Sequence, residues 1–160
     1  MQVRTETLDP IHVARIRHVG RYREIDACFE RLFRWAASIG APTGRVLTLS
    51  YDDPGTTAAD RLRFDACVEL RTGEDPPPGI ELGPVGGGRY ALYRLVGPYD
   101  RIPAAYGRLL AEWLPGSGES ADDRPRMELY RREQADTPPE RLMTDLCLPL
   151  GERGPADGAP

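Results

Sequence analysis

The amino-acid sequence predicts an α+β fold built from two similar half-modules, each running strand, helix, strand, strand. Three observations carry this. Residues 18–32 return 77 positions later, with Val19, Gly20, Tyr22, Ile25, Ala27, Arg31 and Leu32 recurring as Val96, Gly97, Tyr99, Ile102, Ala104, Arg108 and Leu109, seven identities in fifteen aligned positions. Each copy continues into a stretch with apolar residues at helical spacings: Ile25, Phe29, Leu32, Phe33, Ala36 and Ile39 in the first, and Ile102, Tyr106, Leu109, Leu110 and Trp113 in the second. The strands that follow repeat more weakly. Leu62, Asp65, Cys67 and Leu70 match Leu142, Asp145, Cys147 and Leu150 at an offset of 80, and Tyr51 matches Tyr130 at 79. Two half-modules, about 1–75 and 79–150, then form one domain, and a groove between them is a natural place for a ligand.

Taken in order, residues 2–8 and 11–19 read as two strands interrupted by Asp9-Pro10, each with period-two alternation. A Val-Gly-x-Tyr turn leads into the first helix, closed by Gly40. Residues 45–51 form a strand that Asp52-Asp53-Pro54-Gly55 ends as a turn, and residues 62–70 form the next, with Phe64, Ala66, Val68 and Leu70 on one face. The Pro-rich stretch 72–79 separates the halves. Residues 79–85 read as a short strand, and Gly86-Gly87-Gly88 as a tight hairpin, because the residues after it form a strand and not the helix a phosphate-binding loop requires. The second helix ends near Trp113, with Pro115-Gly116 closing it. Strands at 125–131 and 142–150 flank a Pro-rich loop at 134–140, and the tail 151–160 has no apolar residue larger than Ala to offset its ordering entropy, so it is expected to be disordered.

Composition excludes several classes of function. The 25 acidic side chains outnumber the 21 basic ones for a formal charge of −4, with no basic run, so direct nucleic-acid binding is not expected. No apolar run reaches the length of a signal peptide or membrane span, which points to a cytoplasmic protein. Cys28, Cys67 and Cys147 lie in apolar runs without metal-ligand spacing, and His12 and His18 have no partner suited to nucleophilic chemistry, so neither a metal nor a cofactor is expected.

Four segments together resemble the GyrI-like family, the small-molecule-binding domains that also serve as effector domains of many AraC-type regulators and include gyrase-inhibitory proteins. They are His18-Val19-Gly20-Arg21-Tyr22; Tyr51-Asp52-Asp53-Pro54; residues 87–99, GGRYALYRLVGPY; and Met127-Glu128-Leu129-Tyr130 with Pro138-Pro139-Glu140-Arg141-Leu142 beyond it. The resemblance covers roughly residues 2–150. It implies an antiparallel sheet of two pseudo-symmetric repeats, with helices on one face and a ligand groove on the other. It also implies a groove glutamate among aromatic rings, a position matched by Glu128. The chain departs from the regulators in having no recognisable DNA-binding segment, which leaves a separate regulator chain or DNA gyrase as protein partners that the resemblance suggests.

Strand alternation in RMELY puts Glu128 and Tyr130 on one face, and aligning Tyr51 with Tyr130 brings Tyr51 to that face as well. Tyr93, and Trp113 at its helix end, are further candidates for the walls. A poorly hydrated carboxylate among aromatic rings attracts a lipophilic cation by charge and ring quadrupole together. With a raised pKa the same Glu128 could act as a general base, with Tyr130 donating to a leaving oxygen; the resemblance implies a hydrolase of this kind as an alternative, since some stand-alone members of the family resemble hydrolases that open cyclopropane-bearing genotoxins. The alternative is a solvated edge-strand glutamate with tyrosines in ordinary cross-strand packing.

Overall fold

The computed structural model describes residues 1–131 and 136–153. Six strands, β1 (Val3–Val19), β2 (Val46–Ser50), β3 (Arg63–Glu69), β4 (Glu81–Val96), β5 (Arg126–Tyr130) and β6 (Met143–Pro149), pair antiparallel throughout in the order β1-β3-β2-β5-β6-β4. Pairing of β4 back onto β1 closes the sheet into a barrel. Val13, Leu47, Cys67, Leu92, Met127 and Cys147 fill its interior, each 1% exposed or less. The helices lie on the outside. Helix α1 (Asp26–Ser38) packs Leu32 and Ala36 against Ala14, Phe64 and Ala66, and α2 (Ile102–Arg108) packs Ile102 and Tyr106 against Leu95 and Leu146. The sheet face away from the helices is therefore a closed core, and the expectation of a groove on that face is corrected.

Residues 2–8 and 11–19 belong to one strand. Pro10 has no N–H to donate, but β1 keeps its register with β4 on both sides, from Leu8↔Gly88 to Pro10↔Gly86 and Ile11↔Val85. Leu8 and Ile11 both face the interior although they are an odd number of residues apart, so Asp9-Pro10 marks a change of face rather than an end. Opposite it, Gly86, Gly87 and Gly88 have φ of 70°, 86° and 90°, so the triplet is a kink inside β4 and not a hairpin. A side chain at Gly87 would meet the Pro10 ring, with Cγ 3.0 Å from an added Cβ.

Helix α1 ends as expected at Gly40, φ 66°, where the Gly40 and Ala41 N–H groups donate to Ala37 and Ala36 carbonyls in a Schellman arrangement. Its buried stripe differs at one residue: Trp35 packs on the core beneath the helix and Phe33 is exposed. The second helix runs beyond Trp113. After α2 it widens into a π-type turn, Leu109–Trp113, in which Leu114 N–H donates to Leu109 C=O, and a last turn, Leu114–Ser117, ends at Gly118 with φ 72°. Pro115 stands at the start of that last turn.

Asp53 accepts from Gly55 N–H at 2.8 Å, and Asp52 holds Arg63, as turn chemistry requires. Residues 151–153 of the tail are held: Gly151 N–H donates to Ser120 C=O and Arg153 pairs with Glu119. The rest of the tail, 154–160, and residues 134–135 of the Pro-rich loop lie outside the described residues. Among the described residues no helix is long and apolar enough to cross a membrane.

Candidate functional site

Strand β5 follows the alternation of RMELY. Met127 and Leu129 enter the barrel core, while Glu128 turns to the helix-bearing side, pairs in register with Thr48 of β2 and is 3% exposed. Each helix is entered through the repeated Val-Gly-x-Tyr turn. Gly20 and Gly97, φ 135° and 138°, donate to the Leu62 and Leu142 carbonyls, and the chain then swings into one 3₁₀ turn opened by Tyr22 or Tyr99. Only glycine reaches these dihedrals without strain, and they drop both tyrosines over the sheet between the helices.

A cavity of about 730 Å³ lies between the helices, with Glu128 among its lining groups and Tyr22, Phe29, Phe64, Tyr99, Tyr106 and Tyr130 as aromatic walls. The rings pack edge to face: Tyr22 on Phe64 at 5.4 Å, Tyr99 on Tyr130 at 5.5 Å and Phe29 on Tyr130 at 6.3 Å between centroids. Phe29 and Tyr106 occupy equivalent positions in the aligned helices, as Tyr22 and Tyr99 do in the turns.

Glu128 Oε2 accepts from the Tyr22 hydroxyl at 2.9 Å and from the Tyr130 hydroxyl at 3.0 Å. The two hydroxyls are 2.5 Å apart, and Thr48 Oγ1 lies 2.8 Å from that of Tyr130. Two phenolic hydrogens fill two of the three edges of the Glu128–Tyr22–Tyr130 triangle, and with both directed at Oε2 the hydroxyl–hydroxyl contact has no hydrogen of its own. Burial pushes Glu128 up to about 7, against the opposing pull of the two tyrosine hydrogen bonds. Burial also holds Tyr22, Tyr106 and Tyr130 well above the ordinary phenol value, so all three remain donors. No Arg or His pairs with Glu128 among the described residues. Nor does any group of three His, Cys, Asp or Glu among them suit a metal ion.

The other expected wall residues lie elsewhere. Tyr51 sits at the end of the barrel interior, its hydroxyl donating to Asp65 at 2.6 Å beneath the Arg17 guanidinium, 4.5 Å from the ring centre. Glu128 pairs with Thr48, so Tyr51, an odd number of residues from Thr48, falls on the opposite face of β2, which corrects the placement of Tyr51. Tyr93 and Trp113 line a separate pocket with Val3, Arg4 and Arg94 and are not among the residues lining the cavity. Sequence reasoning passed over Tyr22, Phe29, Phe64, Tyr99 and Tyr106 as site residues, although the repeated Val-Gly-x-Tyr turn and the matched ring at 29 and 106 were visible signals.

Comparison with known proteins agrees with this architecture. A probable transcriptional regulator, YgiV, of Escherichia coli O157:H7 is 31% identical over 147 residues, covering 88% of this chain and 90% of the relative. A DNA gyrase inhibitor of Edwardsiella ictaluri is 31% identical over 137 residues, covering 81% and 86%. Among solved structures, EcmrR in a DNA complex superimposes with a TM-score of 0.80 at 16% identity, covering 95% of this chain and 58% of EcmrR. A hydrolase from Listeria innocua gives 0.68 at 10% identity, covering 94% and 92%. SAV2435 bound to tetraphenylphosphonium gives 0.59 at 13%, covering 94% of each chain. The family model for the GyrI-like small molecule binding domain matches residues 1–150, and the chain belongs to that family.

Proposed function

We propose that this domain captures hydrophobic, aromatic cations, drugs or toxins among them, in the cavity between its helices, with Glu128 as counter-charge. One observation carries the reading: a buried carboxylate without a cationic partner among the described residues lines a cavity walled by six aromatic rings. Such a group is costly to ionise alone and is relieved by a bound cation, which the rings attract in addition. The two halves are related by a pseudo-two-fold axis through the paired Thr48 and Glu128, so one ligand sits across the seam and only one half supplies the acid. The tetraphenylphosphonium complex of SAV2435, a protein of the same fold, supports the reading.

Calorimetric titration with tetraphenylphosphonium tests it. Glu128→Gln should weaken binding at least tenfold without unfolding the domain. Wild-type affinity should rise with pH through about 7 as the proton that competes with the cation is lost. Equal affinity in wild type and variant removes the counter-charge role.

A second reading has its own support in Glu128, poised near 7 beside the Tyr130 hydroxyl, an arrangement suited to a general base and a proton donor acting on a strained electrophile. Hydrolysed product beyond one equivalent per site from a cyclopropane-bearing genotoxin distinguishes turnover from capture. The names of the relatives add DNA gyrase and a separate regulator chain as protein partners to be sought by co-purification.

A further inference from the structure

The two oxygens of Glu128 differ in their surroundings. Oε2 accepts from both tyrosine hydroxyls, at 2.9 and 3.0 Å, which fills its two lone pairs. Oε1 makes no hydrogen bond to a described residue. A sealed side-chain oxygen left without a partner occurs among the described residues only at Thr144 Oγ1, so Oε1 is not sealed. The 3% exposure that Glu128 retains opens onto the cavity it lines. Of the other carboxylates that line the cavity, Asp52 is held by Arg63 through two hydrogen bonds from the guanidinium, at 2.8 and 3.0 Å, and one from the backbone N–H, while Asp26 and Asp100 are exposed, where water competes for their oxygens. Oε1 is thus the one Glu128 oxygen still able to accept a hydrogen bond, and it does so from a residue only 3% exposed.

From this geometry, and resting on the cation-capture reading, we infer that the cavity selects cations that carry an N–H donor, such as protonated aryl-alkyl amines and amidines, over quaternary cations of the same shape. An ammonium N–H reaches a carboxylate oxygen at roughly 2.8 Å in a charge-assisted bond about twice as strong as a neutral one. A quaternary centre is coated by carbon, keeps its charge farther away and leaves Oε1 unpaired, and an acceptor covered without a donor weakens binding. The aromatic walls treat both kinds of cation alike, since a ring quadrupole responds to charge and not to donors. Selection therefore rests on Oε1, and capacity on the rings.

The test uses three naphthalene probes on the intact chain at pH 8: N,N-dimethyl-1-naphthylmethylammonium, its N,N,N-trimethyl counterpart and the neutral 1-naphthylmethanol. The tertiary ammonium should bind at least fivefold more tightly than the quaternary one, and Glu128→Gln should reduce that ratio towards one. A ratio below fivefold, with both cations binding more tightly than the alcohol, overturns the selectivity and leaves cation capture standing. If neither cation outbinds the alcohol, the cation-capture reading fails and the selectivity with it.

Discussion

Two buried carboxylates of this domain occupy opposite environments. Asp145 is fully buried and ringed by arginines: Arg94 at 2.8 Å, Arg131 at 2.7 Å and Arg4 at 3.8 Å. Burial alone would push its carboxyl up, but the hydrogen bonds from Arg94 and Arg131 outweigh burial and hold it below the ordinary value. Glu128 is nearly as buried, yet only hydroxyls reach it, and its carboxyl is pushed up to about 7. Asp65, at the position aligned with Asp145, repeats the first pattern with Arg17 and Arg15. Arginines offset the burial of Asp145 and Asp65, whereas only hydroxyls offset that of Glu128, and the proposed cation capture rests on that difference.

The contrast can be broken from either side. The larger effect belongs to Asp145→Ala, which strands two or three arginines at the barrel end. It should cost about 3 kcal/mol, toward the low end for breaking a buried pair because the arginine side chains still reach water. Urea denaturation measures it, and a cost below about 1 kcal/mol would mean that the cluster is decorative. Glu128→Gln should act in the opposite sense. A carboxyl whose folded pKa is raised favours the folded state most when protonated, so its stability contribution is full below the unfolded value near 4.3 and is lost as pH rises to about 7. The variant, free of that penalty, should gain on wild type between pH 5 and pH 8, by on the order of 2 kcal/mol. A wild-type-to-variant difference that does not change with pH would show that Glu128 is well solvated.

Much of this molecule can be read from its sequence, and where the reading departs from the structure the cause is geometric. Alternation in RMELY placed Glu128 and Tyr130 on the same side, as the structure has them. Tyr51 went astray because the alignment matched tyrosine with tyrosine, while the strands pair one residue out of step with that match. Helix geometry accounts for the exposure of Phe33: at about 100° per residue, Trp35 lies only about 60° from the stripe centre at Leu32, and Phe33 lies about 100° away. Closure of the barrel was not legible. It depends on β1 and β4 staying paired past a proline and three glycines that locally read as breaks. Nor did any pattern in the strands reveal that the cavity lies beneath the helices, since that follows from which sheet face the closed barrel consumes.

The turnover at Asp9-Pro10 and Gly86–Gly88 ties the two longest ribbons to one another. Each serves as a stave of the barrel and as a floor for a helix, and both exchange these duties at the same level. An inserted residue on one ribbon would turn half of its side chains inside out, whereas matched insertions on both could be absorbed at the crossing. Length variation there is thus constrained to come in pairs.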